Sequence, residues 1–198
     1  MPERSVIAAI MVAMTDFSPF NVKDEFKTLE VEDIKSHQQN ISIPYSIAMY
    51  NVIKDFNLAS VVRNVCAFGL KSIYIVGNRH WDRRGAVGAQ HYVEIIHVKD
   101  FNELLEIFGE DHLIGLELPE HYPAQQDEFI PLNKFRWQEN SCILLGEENS
   151  GIPEDHLSKL RNKVYINQPG VMRSLNAATA SGIAMYDMLV KWSDYGYV

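Results

Sequence analysis

Cysteine is nearly absent: Cys66 and Cys142 stand far apart in 198 residues, with no CxxC and no Cys/His cluster around either. A disulfide framework and a structural zinc site both lack ligands here, so two free thiols in a reducing compartment are expected. Histidine is scattered, with no HExxH and no paired spacing; no metal is expected. Long apolar runs are missing too, since none reaches the roughly 18–20 residues a membrane-spanning helix needs. The nearest thing to a targeting segment is Val6–Met14 behind Arg4, but Glu3 spoils its positive flank and no cleavage site follows. That stretch is read as folded or interacting structure, and the protein as cytoplasmic with no membrane partner. Positive charge is also in deficit, at a net -8. A grip on nucleic acid must therefore come from a local strip rather than a global footprint. No GxGxxG follows the first strand and no Walker lysine is present, which removes the common dinucleotide and P-loop readings.

What is present is 46% hydrophobic content, enough for one core and a single α/β domain. Residues 1–40 differ in texture and are read as an N-terminal extension with a short helix at 31–36; residues 41–198 form the main domain. From Ile41-Ser-Ile-Pro44 onward, strands and helices alternate. Strands are predicted at 46–53, 72–76, 93–98, 113–117, 142–145 and 164–166. A helix is predicted at 59–68, with Gly69 as a left-handed stop. Asp100 with Glu103 makes a capping box for a helix ending at Gly109. Pro153 opens a helix to Arg161, and a long helix covers 174–192. This alternation predicts a mostly parallel sheet covered by helices on both faces, with ligands at the carboxyl ends of the strands.

Three segments fall at those strand–helix junctions. In Asn57-Leu-Ala-Ser-Val-Val-Arg63, Asn57 suits a helix cap and Arg63 falls two turns in; the plain reading is a capped helix with a surface arginine. Gly146-Glu-Glu-Asn-Ser-Gly151 has glycine at both ends, permitting close ligand approach, while its two adjacent glutamates would repel phosphate and suit a cationic or ribose-bearing ligand. Its plain reading is an acidic turn before a helix. In Ser174-Leu-Asn176, Ser174 and Asn176 both suit a helix start, ahead of the small residues Ala177, Ala178, Ala180, Gly182 and Ala184. Arg79-His-Trp-Asp-Arg-Arg84 and the residues to His91 gather arginines, histidines and a tryptophan: Arg79, Trp81, Arg83 and Arg84 are candidate RNA contacts, by phosphate neutralisation and base stacking. The alternative is a solvated loop with Trp81 tucked onto the core.

In order and spacing the three segments resemble the motifs of the SpoU (TrmH-type) branch of the SPOUT RNA methyltransferases. The family's Asn-x-Gly-x-x-x-Arg is kept apart from Ala59, which replaces the glycine; Gly-x-Glu-x-x-Gly places Glu148 on the family acid. Ser174-Leu175-Asn176 is intact, while Asn167 replaces the proline that follows the Ile166 strand end.

The resemblance implies S-adenosylmethionine as cofactor, transfer of a methyl group to a ribose 2′-hydroxyl of tRNA or rRNA, a C-terminal deep trefoil knot, and a homodimer. It places Leu116, Gly146, Ile166, Ser174 and Leu175 at the cofactor. Arg63 becomes the catalytic residue and an RNA contact, and Asn57, Glu148, Ser174 and Asn176 support the site. Arginine is effectively always charged, so Arg63 is expected to hold phosphate and a developing alkoxide rather than to accept a proton. The other readings are a catalytically silent RNA-binding dimer of the same fold and an unrelated nucleotide-binding α/β protein. Which RNA is modified stays open, with tRNA favoured because a short chain suits a compact substrate.

Overall fold

The computed structural model describes residues 21–51, 56–147 and 150–194, so the apolar stretch Val6–Met14 and Glu148 lie outside the described residues. The helices are α1 (Val31–Asn40), α2 (Phe56–Phe68), α3 (Phe101–His112), α4 (Glu154–Leu157) and α5 (Ala177–Asp194). The strands are β1 (Ile43–Asn51), β2 (Leu70–Gly77), β3 (Glu94–Val98), β4 (Leu113–Leu116), β5 (Phe129–Pro131), β6 (Cys142–Leu145) and β7 (Asn162–Tyr165). They form one sheet in the order β3-β2-β1-β6-β4-β7-β5, every pairing parallel. Two late strands slot between earlier ones: β6 between β1 and β4, β7 between β4 and β5.

Alternation along β1 shows why both faces need cover. Ile47 and Met49 join Leu58, Val61, Val62 and Val65 of α2 and Ala184, Met185 and Met188 of α5 in one core. Ala48 and Tyr50 point the other way, into a second core with Phe101 and Leu104 of α3 and Leu157 of α4. A strand with helices on both sides reads as a continuous apolar run, which is how a parallel sheet is legible in sequence.

Local signals worked where they were strong. The Asp100 carboxylate accepts from the N–H groups of Asn102 and Glu103, while Glu103 accepts from Lys99 N–H, closing the start of α3. Gly69 and Gly109 take φ of 68° and 71°, ending the regular helix where predicted.

The differences have physical reasons. β1 begins at Ile43 rather than 46, with a register irregularity between Ile43 and Ser46 where Pro44 has no N–H to give the ladder. β5 was not predicted, because only Phe129 of its three residues is buried and no period is visible in so short a run. The helix behind Pro153 closes as α4 at Leu157, well before Arg161. α5 starts at Ala177, not Ser174.

Candidate functional site

The carboxyl ends of β6, β4 and β7 lie side by side, with Leu116 level with Leu145 on one flank and Val164 on the other. The Leu116, Gly146 and Ile166 positions, distant in sequence, therefore share one edge of the sheet. This is also where the strand order departs from chain order, the usual place for a ligand in an open α/β sheet.

Above that edge, Glu147 and Gly151 pair with each other through their backbones. Glu147 N–H donates to Gly151 O at 3.1 Å, and Gly151 N–H returns the bond to Glu147 O at 2.9 Å. Ser150 Oγ donates to the Glu147 carboxylate at 2.9 Å. Both glycines are dictated by crowding. A Cβ built on Gly146 would collide with the Glu117 carboxylate and the Gly151 backbone; one on Gly151 would sit 2.8 Å from Glu117 Oε1 and from Tyr122 Oη, at a φ of 68°. Ile152 is held from both sides, its N–H donating to Glu117 Oε1 at 2.8 Å and its carbonyl accepting from Tyr122 Oη at 2.7 Å. Burial raises the Glu117 carboxyl above its ordinary range, with the N–H groups of Ile152 and Leu118 pulling the other way. Burial likewise raises the Tyr122 phenol, helped by Glu117. Sequence reading missed Glu117 and Tyr122, taking Glu117 as the end of a strand; the Leu-Glu-Leu around it held a carboxylate between apolar neighbours as its only signal.

The first and third segments are joined directly. Asn176 Nδ2 donates to Asn57 Oδ1 at 2.8 Å, across 119 residues of sequence. The Asn176 carbonyl oxygen of the side chain accepts from Ala178 and Thr179 N–H at 3.0 and 3.3 Å, so Asn176 alone caps α5. Ser174 was expected to share that role; it stands exposed three residues before the helix and makes no hydrogen bond among the described residues. Leu175 is half-buried beside it. One turn further along, Asn64 Nδ2 donates to Ala178 O at 3.1 Å, and a Cβ on Gly182 would lie 3.4 Å from it; the small residues of α5 let α2 approach closely.

Arg63, next to Asn64, is exposed and without a polar partner among the described residues. Ala59 lies within α2 on ordinary helical backbone, 2% exposed, its methyl 3.0 Å from where a Cβ on Gly85 would fall. Its methyl therefore fills core space under the loop that carries the arginines.

That loop divides the expected RNA contacts. Arg84 is spent on Asp82, donating from Nε to both carboxylate oxygens at 3.0 Å, and its guanidinium holds Asp82 down to about 2. Trp81 is half-buried against the core, its ring 5.8 Å from the Arg83 guanidinium. Arg79 and Arg83 remain exposed, and their charges add to burial in lowering the His97 imidazole. Asn51 secures the loop, donating to the carbonyls of Asn78 and His80 at 2.5 and 3.2 Å. Arg173, beside Ser174, is a further exposed cation that the motif reading passed over.

Next to the Ile166 strand end, a cleft of about 570 Å³ opens between Lys134, Tyr165 and Asn167 on one side and Ile183, Tyr186 and Val190 of α5 on the other. Among the described residues no group of three metal-binding side chains converges, and no helix is long and apolar enough to cross a membrane.

The chain is similar in sequence and in fold to several known proteins. The 23S rRNA (guanosine-2'-O-)-methyltransferase RlmB of Acinetobacter baylyi is 25% identical over 165 residues, covering 80% of this chain and 64% of the relative. The tRNA (guanosine(18)-2'-O)-methyltransferase of Escherichia coli is 23% identical over 145 residues, 72% of this chain and 61% of the relative. The chain thus spans less than two thirds of either relative's length. Among solved structures, the A. aeolicus TrmH/SpoU tRNA modifying enzyme superposes with a TM-score of 0.70 at 18% identity, over 84% of both chains. The AdoMet-bound rRNA methyltransferase of Sinorhizobium meliloti gives 0.61 at 20% identity, over 76% of this chain and 58% of that one. At such identities the structural likeness is one of fold. The sequence profile of the SpoU rRNA methylase family matches residues 44–186, from the first strand into the last helix and through all three motif segments; the chain belongs to that family.

Proposed function

We propose that this protein transfers a methyl group from S-adenosylmethionine to a ribose 2′-hydroxyl of RNA. The observation that carries the reading is the alignment of the Leu116, Gly146 and Ile166 strand ends beneath a loop that tolerates no Cβ at either glycine. The relatives, guanosine 2'-O-methyltransferases of 23S rRNA and tRNA, support the reaction class. The AdoMet-bound neighbour supports the cofactor.

In this reading the backbone at Leu116, Gly146 and Ile166, with Ser174 and Leu175, holds the cofactor. Bound there, S-adenosylmethionine supplies an electrophilic methyl group. The chain's own part is positioning, which lets a hydroxyl approach that carbon in line. Arg63, exposed and without a polar partner among the described residues, grips a phosphate of the substrate and stabilises charge on the attacking oxygen while the proton leaves to water. The Asn57–Asn176 bond keeps the arginine-bearing helix registered to the cofactor-side loop. Glu148 belongs to this set by sequence position. Arg79 and Arg83, with Arg173, track the RNA backbone.

The knotted threading, the 41–198 domain boundary and the cytoplasmic setting are parts of the same proposal, as is tRNA over rRNA. So is a homodimer through α5, whose Ile183, Tyr186 and Val190 stand exposed at helical spacing. A silent RNA-binding dimer is the second reading, suggested by the Ala59 and Asn167 departures; the ordinary helical setting of Ala59 weakens it.

The test is calorimetric titration with S-adenosylmethionine and S-adenosylhomocysteine, with wild type beside Gly146→Ala and Ser174→Arg, followed by mapping of 2′-O-methyl groups on tRNA and rRNA. Micromolar binding lost in both variants is expected. Absence of binding to wild type would overturn the enzyme reading.

A further inference from the structure

Glu117 touches all three strand-end segments at once, and no expectation from the motifs assigned it anything. Its N–H donates to Val164 O at 3.1 Å, continuing the ladder from β4 to β7 just before Ile166. Its side chain crosses beneath the glycine loop that follows β6, where Oε1 accepts from Ile152 N–H. That oxygen is also what a Cβ on Gly146 or Gly151 would strike. The carboxylate thus sets the height of the loop over the sheet. Among the described residues Glu117 takes part in none of the salt bridges, and what acts on its carboxyl is burial and the N–H groups of Ile152 and Leu118. A half-buried carboxylate without a counter-charge is costly, and this one spends its acceptor on the loop's backbone.

We infer that Glu117 is a positioning residue for the cofactor, holding Gly151 and Ile152 against the strand ends through Ile152 N–H so that the Gly146 backbone presents itself to the ligand. The inference rests on the proposed use of this edge as the S-adenosylmethionine site. Tyr122 completes the clasp by donating to Ile152 O, and the paired strand ends of β4, β6 and β7 give it a rigid base.

The role is one of accepting a hydrogen bond, which an amide oxygen also does. Glu117→Gln should therefore keep cofactor affinity within about threefold of wild type, whereas Glu117→Ala should weaken it roughly ten- to hundredfold. The loss should appear in the KM for S-adenosylmethionine, with kcat and the KM for RNA little changed. Hydrogen exchange reads the clasp without any ligand: the Ile152 amide should exchange faster in Glu117→Ala and stay protected in Glu117→Gln. Wild-type affinity in Glu117→Ala would overturn the inference. So would equal damage in the two variants, which would make the charge rather than the acceptor decisive, or unchanged Ile152 exchange in Glu117→Ala. If wild type binds no cofactor while exchange behaves as described, the clasp stands and the proposed reaction is what fails.

Discussion

Asn176 is where the local and the long-range structure of the site can be separated by measurement. Its side-chain oxygen caps α5 and its Nδ2 donates to Asn57, so Asn176→Ala removes both at once. A lost cap costs about 1 kcal/mol. The bridge to Asn57 is exposed to water and contributes about 0.5–1 kcal/mol net. Together these predict about 1.5–2 kcal/mol, which for a chain of this size lowers Tm by roughly 3–8 °C. Asn57→Ala removes the bridge and leaves the α5 cap in place. A double-mutant cycle over the two asparagines isolates the bridge, with an expected coupling of about 0.5–1 kcal/mol, read by thermal and urea unfolding. Methyl transfer should fall in both single variants, because the arginine-bearing helix loses its tie to the cofactor-side loop. Zero coupling would refute the claim that the first and third motifs are held together by this bond. A Tm unchanged when Asn176→Ala is added to Asn57→Ala would refute the cap.

Three further outcomes follow from the same geometry. Arg79→Ala and Arg83→Ala should each flatten the salt dependence of RNA binding by about 0.7–0.9 in log–log slope; anisotropy titrations over a salt series decide it. Arg63→Lys should lower kcat/KM by roughly tenfold or more while cofactor affinity holds, since an ammonium lacks the planar fork that fits a phosphate; a fully active lysine variant would sink the two-pronged grip. Glu117 predicts a pH effect whose sign is set by its raised carboxyl. The folded state binds the proton more tightly than the unfolded state, so stability declines as pH rises from the ordinary carboxylate range through the raised folded value. Glu117→Gln lacks this decline and should melt above wild type at neutral pH, with the gap closing near about pH 4; a gap that does not change with pH would refute it.

Much of the architecture was written locally. Alternating apolar runs of strand length with helical periods between them state a parallel sheet, because strands buried on both faces need no polar side. The caps at Asp100 and the stops at Gly69 and Gly109 are decided within a few residues, where a side chain or a left-handed backbone settles orphan hydrogen bonds. β5 escaped because its three residues owe their place to β7 rather than to any pattern of their own.

The residue types of the candidate site were read the same way: Asn57, Arg63, Gly146 to Gly151, and Ser174 to Asn176 are consecutive motifs with a family-like order. What tertiary structure alone decided is which of them touch and which are free. The Asn57–Asn176 bond spans 119 residues, and nothing local to either asparagine names the other. Arg84 pairs with Asp82 two residues away while Arg79 and Arg83 form no ion pair among the described residues, a choice made by loop geometry rather than composition. Glu117 gains its meaning only when β6 inserts beside β4 and lays a glycine loop across it. A sequence specifies each segment's own preference; a site is made of relative positions, and those are set by the packing of segments far apart along the chain.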